Sequence, residues 1–88
     1  MKHTTHPDIL KRLKQANGQL SATLAMFAEG RSCAELAQQL QAVESVIHST
    51  KRMLIQDHME HCIGEGLVGG EMNASQALAE FRALSKYL

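Results

Sequence analysis

The sequence has no tryptophan, two phenylalanines and one tyrosine, so a core built on large aromatic rings is excluded and the interior must come from Leu, Ile, Val, Met and Ala. It has one proline, Pro7, which leaves everything beyond the first few residues without an obligatory helix break. It has no excess charge: nine basic residues balance nine acidic ones, so the field of the whole chain selects no polyanionic partner. No apolar run approaches the roughly 18 residues of a membrane span, and the start MKHTTHPD carries no apolar segment of signal-peptide length. A cytoplasmic protein with no membrane partner is expected. Two cysteines are too few for a disulfide scaffold, and in a reducing compartment they serve as ligands, reactive thiols or small core residues. Eighty-eight residues are too few for two independently stable domains, so one domain over 1–88 is expected, and its small interior predicts that it borrows core from a partner subunit.

What is present is helical periodicity. Ile9, Leu13, Ala16, Leu20, Leu24 and Phe27 advance in steps of three or four and predict helix 1 over about 7–28, with Pro7 in its first turn and Glu29-Gly30 as its stop. Gly18, in mid-helix, implies close approach by a neighbouring helix or a ligand. Ser32-Cys33-Ala34-Glu35 has the form of a capping box, so helix 2 begins at Cys33 and runs without proline or glycine to about 63. Leu36, Leu40, Val43, Ile47 and Leu54 make its apolar stripe, far longer than a lone small domain can cover. The glycine-rich stretch 64–70 is expected to be a flexible connection, and Asn73 and Gln76 to cap a helix 3 over about 74–87. The class is all-α: a long helix hairpin and a short C-terminal helix.

His58 and Cys62 stand four apart on helix 2, and at about 100° per residue Cys33 shares their face. Cys33 precedes His58 by 25 residues, however, about 38 Å of straight helix against metal–ligand bonds of about 2.0–2.3 Å. One protomer cannot gather all three. An antiparallel pair of helices 2, with its two-fold axis near Val46-Ile47, sets Cys33 of one chain beside His58 and Cys62 of the other and makes two such sites per dimer. Two thiolates and an imidazole suit Cu(I), and a further nitrogen or oxygen ligand adapts the set to Ni(II), Co(II) or Zn(II). His61, His3 and His6 are candidate additional ligands. The run His58-Met59-Glu60-His61 lacks the spacing of a zinc-protease motif. No general base stands beside a nucleophile, so the chain is not expected to be an enzyme or to carry a small organic cofactor.

Charge is unevenly distributed despite the zero sum. Residues 1–28 hold Lys2, Lys11, Arg12 and Lys14 against Asp8, and Lys51-Arg52 adds a basic pair in helix 2. Repetition of these residues in a dimer or tetramer brings DNA phosphates into range without a base-reading helix.

These residues resemble the copper-sensitive operon repressor (CsoR-type) family of bacterial regulators, which has nickel/cobalt-responsive and formaldehyde-responsive branches. The resemblance rests on Arg12-Leu13-Lys14, Gly18-Gln19-Leu20, Cys33, Gln38-Gln39-Leu40-Gln41-Ala42-Val43 and Asp57-His58-Met59-Glu60-His61-Cys62. It implies a disc-like homotetramer of two antiparallel dimers that represses transcription by binding operator DNA and is released when an effector, foremost Cu(I), occupies the intersubunit site. Carried over by position, Cys33, His58 and Cys62 are the ligands, Glu80 is an outer-shell acid, and Arg12, Lys14 and Arg52 contact DNA; Lys11 and Lys51 join them by location. The match has departures. Ser32 stands where copper-responsive members have tyrosine, and Lys2 where formaldehyde-responsive members have proline. A Ni(II)/Co(II) sensor using an N-terminal histidine, a formaldehyde or thiol-reactive sensor working through Cys33, and a metal-buffering protein without DNA are the alternatives.

Overall fold

A computed structural model of the chain describes residues 6–88, with only the backbone of His6. The described residues are all-α: α1 (His6–Ala28), α2 (Cys33–Asp57), a π-helical segment (His58–Gly64), α3 (Glu65–Val68) and α4 (Ala74–Ser85). No helix among them is long and apolar enough to cross a membrane. Contacts gather into two compact units, one of residues 7–50 and one containing 51–88.

In the first unit α1 ends in a Schellman turn, where Gly30 takes φ 73° and the Arg31 N–H donates to the Met26 carbonyl at 3.1 Å. A side chain at Gly30 would strain that left-handed backbone. The next helix is capped by Ser32, whose Oγ accepts the Glu35 N–H at 3.2 Å and donates to the Glu35 carboxylate at 3.1 Å. Arg31 Nε also donates to that carboxylate, at 2.8 Å. These two partners, Arg31 first, hold the Glu35 carboxyl below its usual range.

The buried rows of this hairpin take Ile9, Ala16, Leu36 and Val43 from the apolar faces expected of it and leave the rest of those faces outside. Ile9, Ala16 and Thr23 are buried on α1, and Leu36, Val43 and Thr50 on α2, each row stepping by seven as in a coiled-coil seam. Both threonines satisfy their hydroxyls locally: Thr23 donates to the Gln19 carbonyl at 2.8 Å and Thr50 to the Val46 carbonyl at 2.7 Å. Leu13, Leu20 and Phe27, also seven apart, remain 43%, 43% and 56% exposed. On α2, Leu40, Ile47 and Leu54 repeat the pattern at 46%, 49% and 42%. Leu13, Leu20 and Phe27 on α1 and Leu40, Ile47 and Leu54 on α2 therefore face outwards, while the inner rows mix Ile9, Leu36 and Val43 with the smaller or more polar Ala16, Thr23 and Thr50. No close approach to Gly18 comes from within the chain, since a Cβ there would meet nothing within 4 Å among the described residues.

The second unit corrects two sequence expectations. Helix 2 continues past Asp57 as predicted, but regular α geometry ends there and His58–Gly64 is π-helical. The glycine-rich stretch is not simply a flexible link, because Gly64 closes the π segment and Glu65–Val68 makes a further helical turn. Gly66 lies close under Met72: a Cβ there would be 3.2 Å from the Met72 Cβ, tighter than ordinary side-chain contact. Asn73 and Gln76 form a reciprocal capping box, at 2.9 and 2.8 Å, that starts α4. The core of this unit consists of Ile55, Cys62, Ile63 and Ala77 together with the Asp57 carboxylate.

Candidate metal and DNA site

His58 opens the π segment, and its Nε2 lies 2.8 Å from Glu80 Oε2 on α4. With the carboxylate as acceptor, Nε2–H is the donor, and this tautomer carries its lone pair on Nδ1. A metal-ligating histidine is commonly oriented in this way by an outer carboxylate. Glu80 also lines an open depression of about 480 Å³ shared with Glu71, Met72, Gln76, Ala79 and Ala83.

The two cysteines, neither in a disulfide, have opposite surroundings. Cys33 is exposed at the first position of α2 and continues the outward row of Leu40, Ile47 and Leu54, again at seven-residue spacing. Cys62 is 1% exposed. Burial above all, and then the Asp57 carboxylate, pushes its thiol up from the usual range. A small alkylating reagent is therefore expected to modify Cys33 of the metal-free protein on the order of 100-fold faster than Cys62 at neutral pH. Equal rates, followed by mass spectrometry of the labelled peptides, would contradict the burial.

Cys33 and His58 are the first residue of α2 and the residue following its end, and the 25 helical residues of α2 measure about 37 Å. Among the described residues, no three His, Cys, Asp or Glu side chains of one chain converge closely enough to hold a metal ion. His61 faces carboxylates: Nδ1 is 3.4 Å from Glu65 Oε1, and Nε2 is 3.6 Å from Asp57 Oδ1 and 4.0 Å from Glu60 Oε2. His3 and the His6 side chain lie outside the described residues. Sequence reasoning missed Asp57, a buried carboxylate that adjoins His58 in the chain and acts on the Cys62 thiol. Its spacing of four from His61 was the available signal.

Lys11, Arg12, Lys14, Lys51 and Arg52 are all exposed. Lys11 and Arg12 border a depression of about 300 Å³ with Asp8 and Gln15. Arg31 is engaged by Glu35 and by Glu29, the latter at 3.3 Å.

Residues 5–86 match the family described as "Metal-sensitive transcriptional repressor". The chain is 32% identical over 73 residues to the copper-sensing transcriptional repressor RicR of Mycobacterium tuberculosis, covering 83% of this chain and 76% of that one. It is 29% identical over 80 residues to the copper-sensing transcriptional repressor CsoR of Bacillus subtilis, covering 89% and 79% respectively. Among solved structures it is similar to the nickel-responsive transcriptional regulator InrS, with a TM-score of 0.84 and 27% identity over 100% of this chain and 98% of that one. The relatives are regulators rather than enzymes. With an all-α fold, a histidine oriented by a carboxylate and a family match spanning nearly every residue, the chain belongs to the metal-sensitive transcriptional repressors.

Proposed function

We propose that this protein binds operator DNA in its metal-free state, represses transcription there, and is released when a transition metal, foremost Cu(I), binds between subunits to Cys33 of one chain and His58 and Cys62 of another. The observation that carries this reading is the outward row Cys33, Leu40, Ile47 and Leu54. One thiol lies in line with an apolar surface that one chain leaves uncovered, so the packing that would cover the row also delivers the thiol to another chain's ligands. The antiparallel pairing of α2 follows from that alignment. Family membership supports a homotetramer in which the whole span 1–88 acts as one sensing and DNA-binding domain.

Each side chain has a chemical task in this reading. The Glu80 carboxylate accepts the His58 Nε2–H and directs Nδ1 as ligand. Cys62 must give up its proton on ligation, against the burial that favours its neutral form, so metal uptake releases protons and strengthens as pH rises. Exposed Lys11, Arg12, Lys14, Lys51 and Arg52 contact phosphates, with no helix reading base edges. A bound metal would cross-link the start of α2 in one subunit to the end of α2 in its neighbour. Release follows only if that cross-link fits the DNA-free arrangement better than the DNA-bound one.

The soft Cys/His/Cys set and the copper-sensing relatives favour Cu(I). Ni(II) or Co(II) is the second reading, favoured by the nickel-responsive structural relative, with His3, His6 or His61 as the extra ligand. Titrating Cu(I) and Ni(II) separately into reduced protein on its own promoter DNA tests both. The effector is expected to weaken DNA binding at least about tenfold, a coupling of about 1.4 kcal/mol. Unchanged DNA affinity with either metal would remove the sensing function.

A further inference from the structure

Cys62, one of the two candidate ligands on the π segment, is 1% exposed. From α2 through the π segment to α3 the backbone is one unbroken helical run, since Asp57, Gly64 and Glu65 all keep right-handed helical dihedrals. A helix does not enclose its own side chains, so something beside it must cover the thiol. Within this unit the element that packs on the π segment from outside the run is α4. It is held there lightly. Ala77 is the one buried residue of α4, Leu78 and Phe81 stay exposed, and an alanine contributes little apolar area. The other tie is the 2.8 Å hydrogen bond to Glu80, which a neutral His58 ring makes with Nε2–H as donor. The Asn73–Gln76 capping box fixes where α4 begins.

We propose that α4 is a lid over Cys62, latched by Glu80 on His58, and that it lifts before the thiol joins a site shared with another chain. While the lid is down, no group of a second subunit reaches a sulfur this deeply buried. Lifting admits the metal and the other chain's Cys33, after which α4 settles with Glu80 again on His58. Uptake is then limited at high metal concentration by the rate of lifting, and apparent affinity is reduced by the fraction of time the lid is down. The use of the lid in metal uptake rests on the metal-sensing reading above, whereas its cover of Cys62 does not.

Alkylation of Cys62 in the metal-free full chain at one fixed pH, followed by mass spectrometry, tests the lid. Asn73→Ala removes the cap of α4 without altering any charge, and Cys62 is expected to react about fivefold faster than in wild type. Glu80→Ala undoes the latch and is expected to act similarly, whereas Glu80→Gln, whose amide oxygen still accepts from Nε2–H, is expected to stay within about twofold of wild type. Ser32→Ala weakens the cap of α2 in the other unit and is expected to leave the Cys62 rate unchanged. An unchanged rate in Asn73→Ala, or an equal rise in Ser32→Ala, would overturn the lid. Equal rates for Glu80→Gln and Glu80→Ala would make charge the cause and overturn the latch. In the wild type the rate of metal uptake is expected to level off as metal concentration rises, and a rate that climbs in proportion throughout would remove the lid from uptake. If the wild type takes up neither Cu(I) nor Ni(II), the sensing function fails, while the alkylation series, made without metal, still upholds or overturns the lid.

Discussion

Cys33→Ala is expected to abolish the metal response, lowering affinity for the effector at least about 100-fold, while metal-free DNA binding and stability stay at wild-type levels. Cys33 suits this test because it is exposed and contributes nothing to either core, so its replacement costs less than about 0.5 kcal/mol. Cys62→Ala removes a thiol too, but it also empties a position that is 1% exposed, and part of its effect is lost packing. The pair of variants also addresses the location of the site. A mixed dimer of one Cys33→Ala chain and one Cys62→Ala chain has one intact Cys/His/Cys set if the set is shared between subunits. Mixing the two proteins under conditions that exchange subunits is then expected to recover about a quarter of wild-type sites, the statistical share for a two-fold assembly. A site within one chain would recover none, and metal stoichiometry by absorption distinguishes the two.

Ile47→Glu is expected to dissociate the assembly and, with it, to remove DNA binding and metal binding together. In one chain Ile47 is 49% exposed, where a glutamate costs little. In the proposed antiparallel pair the two-fold axis passes near Val46-Ile47, so the substitution sets two carboxylates against each other in an apolar seam. Losing the isoleucine burial and adding like charges weakens the dimer by at least about 3 kcal/mol, more than 100-fold in Kd. Sedimentation at micromolar concentration checks it: a species of one-chain mass for Ile47→Glu, wild-type mass for Ile47→Leu. An Ile47→Glu protein that stays assembled and binds DNA would place the interface elsewhere.

The helices and their caps were legible because periodicity, Ser32, Asn73, Gln76 and Gly30 are local signals that need no neighbour to act. Which row of each apolar face turns inwards was not. Hydropathy ranks Leu13, Leu20 and Phe27 above Ala16 and Thr23, yet the latter pair is buried in the chain. A threonine that donates to its own helix carbonyl hides its polarity, and nothing in composition reports that. The π segment was illegible for a related reason: its widened turn has no preferred residue type, and Gly64 looked like a stop. At the candidate site, spacing alone brought out His58 and Cys62, and the Glu80 carboxylate found by family resemblance lies at 2.8 Å from the first. Asp57 escaped notice because an acid beside two histidines looks solvated until the fold buries it.

The outward rows of leucine, isoleucine and phenylalanine bear on how such a regulator lives in a cell. If the proposed assembly is what covers these rows, a newly synthesised chain carries much of its apolar surface outside and gains stability only when another copy arrives. Unassembled copies are then the ones proteases remove. In that case the amount of working repressor would rise more steeply than gene dosage, giving the promoter a threshold set by synthesis rate and independent of any effector.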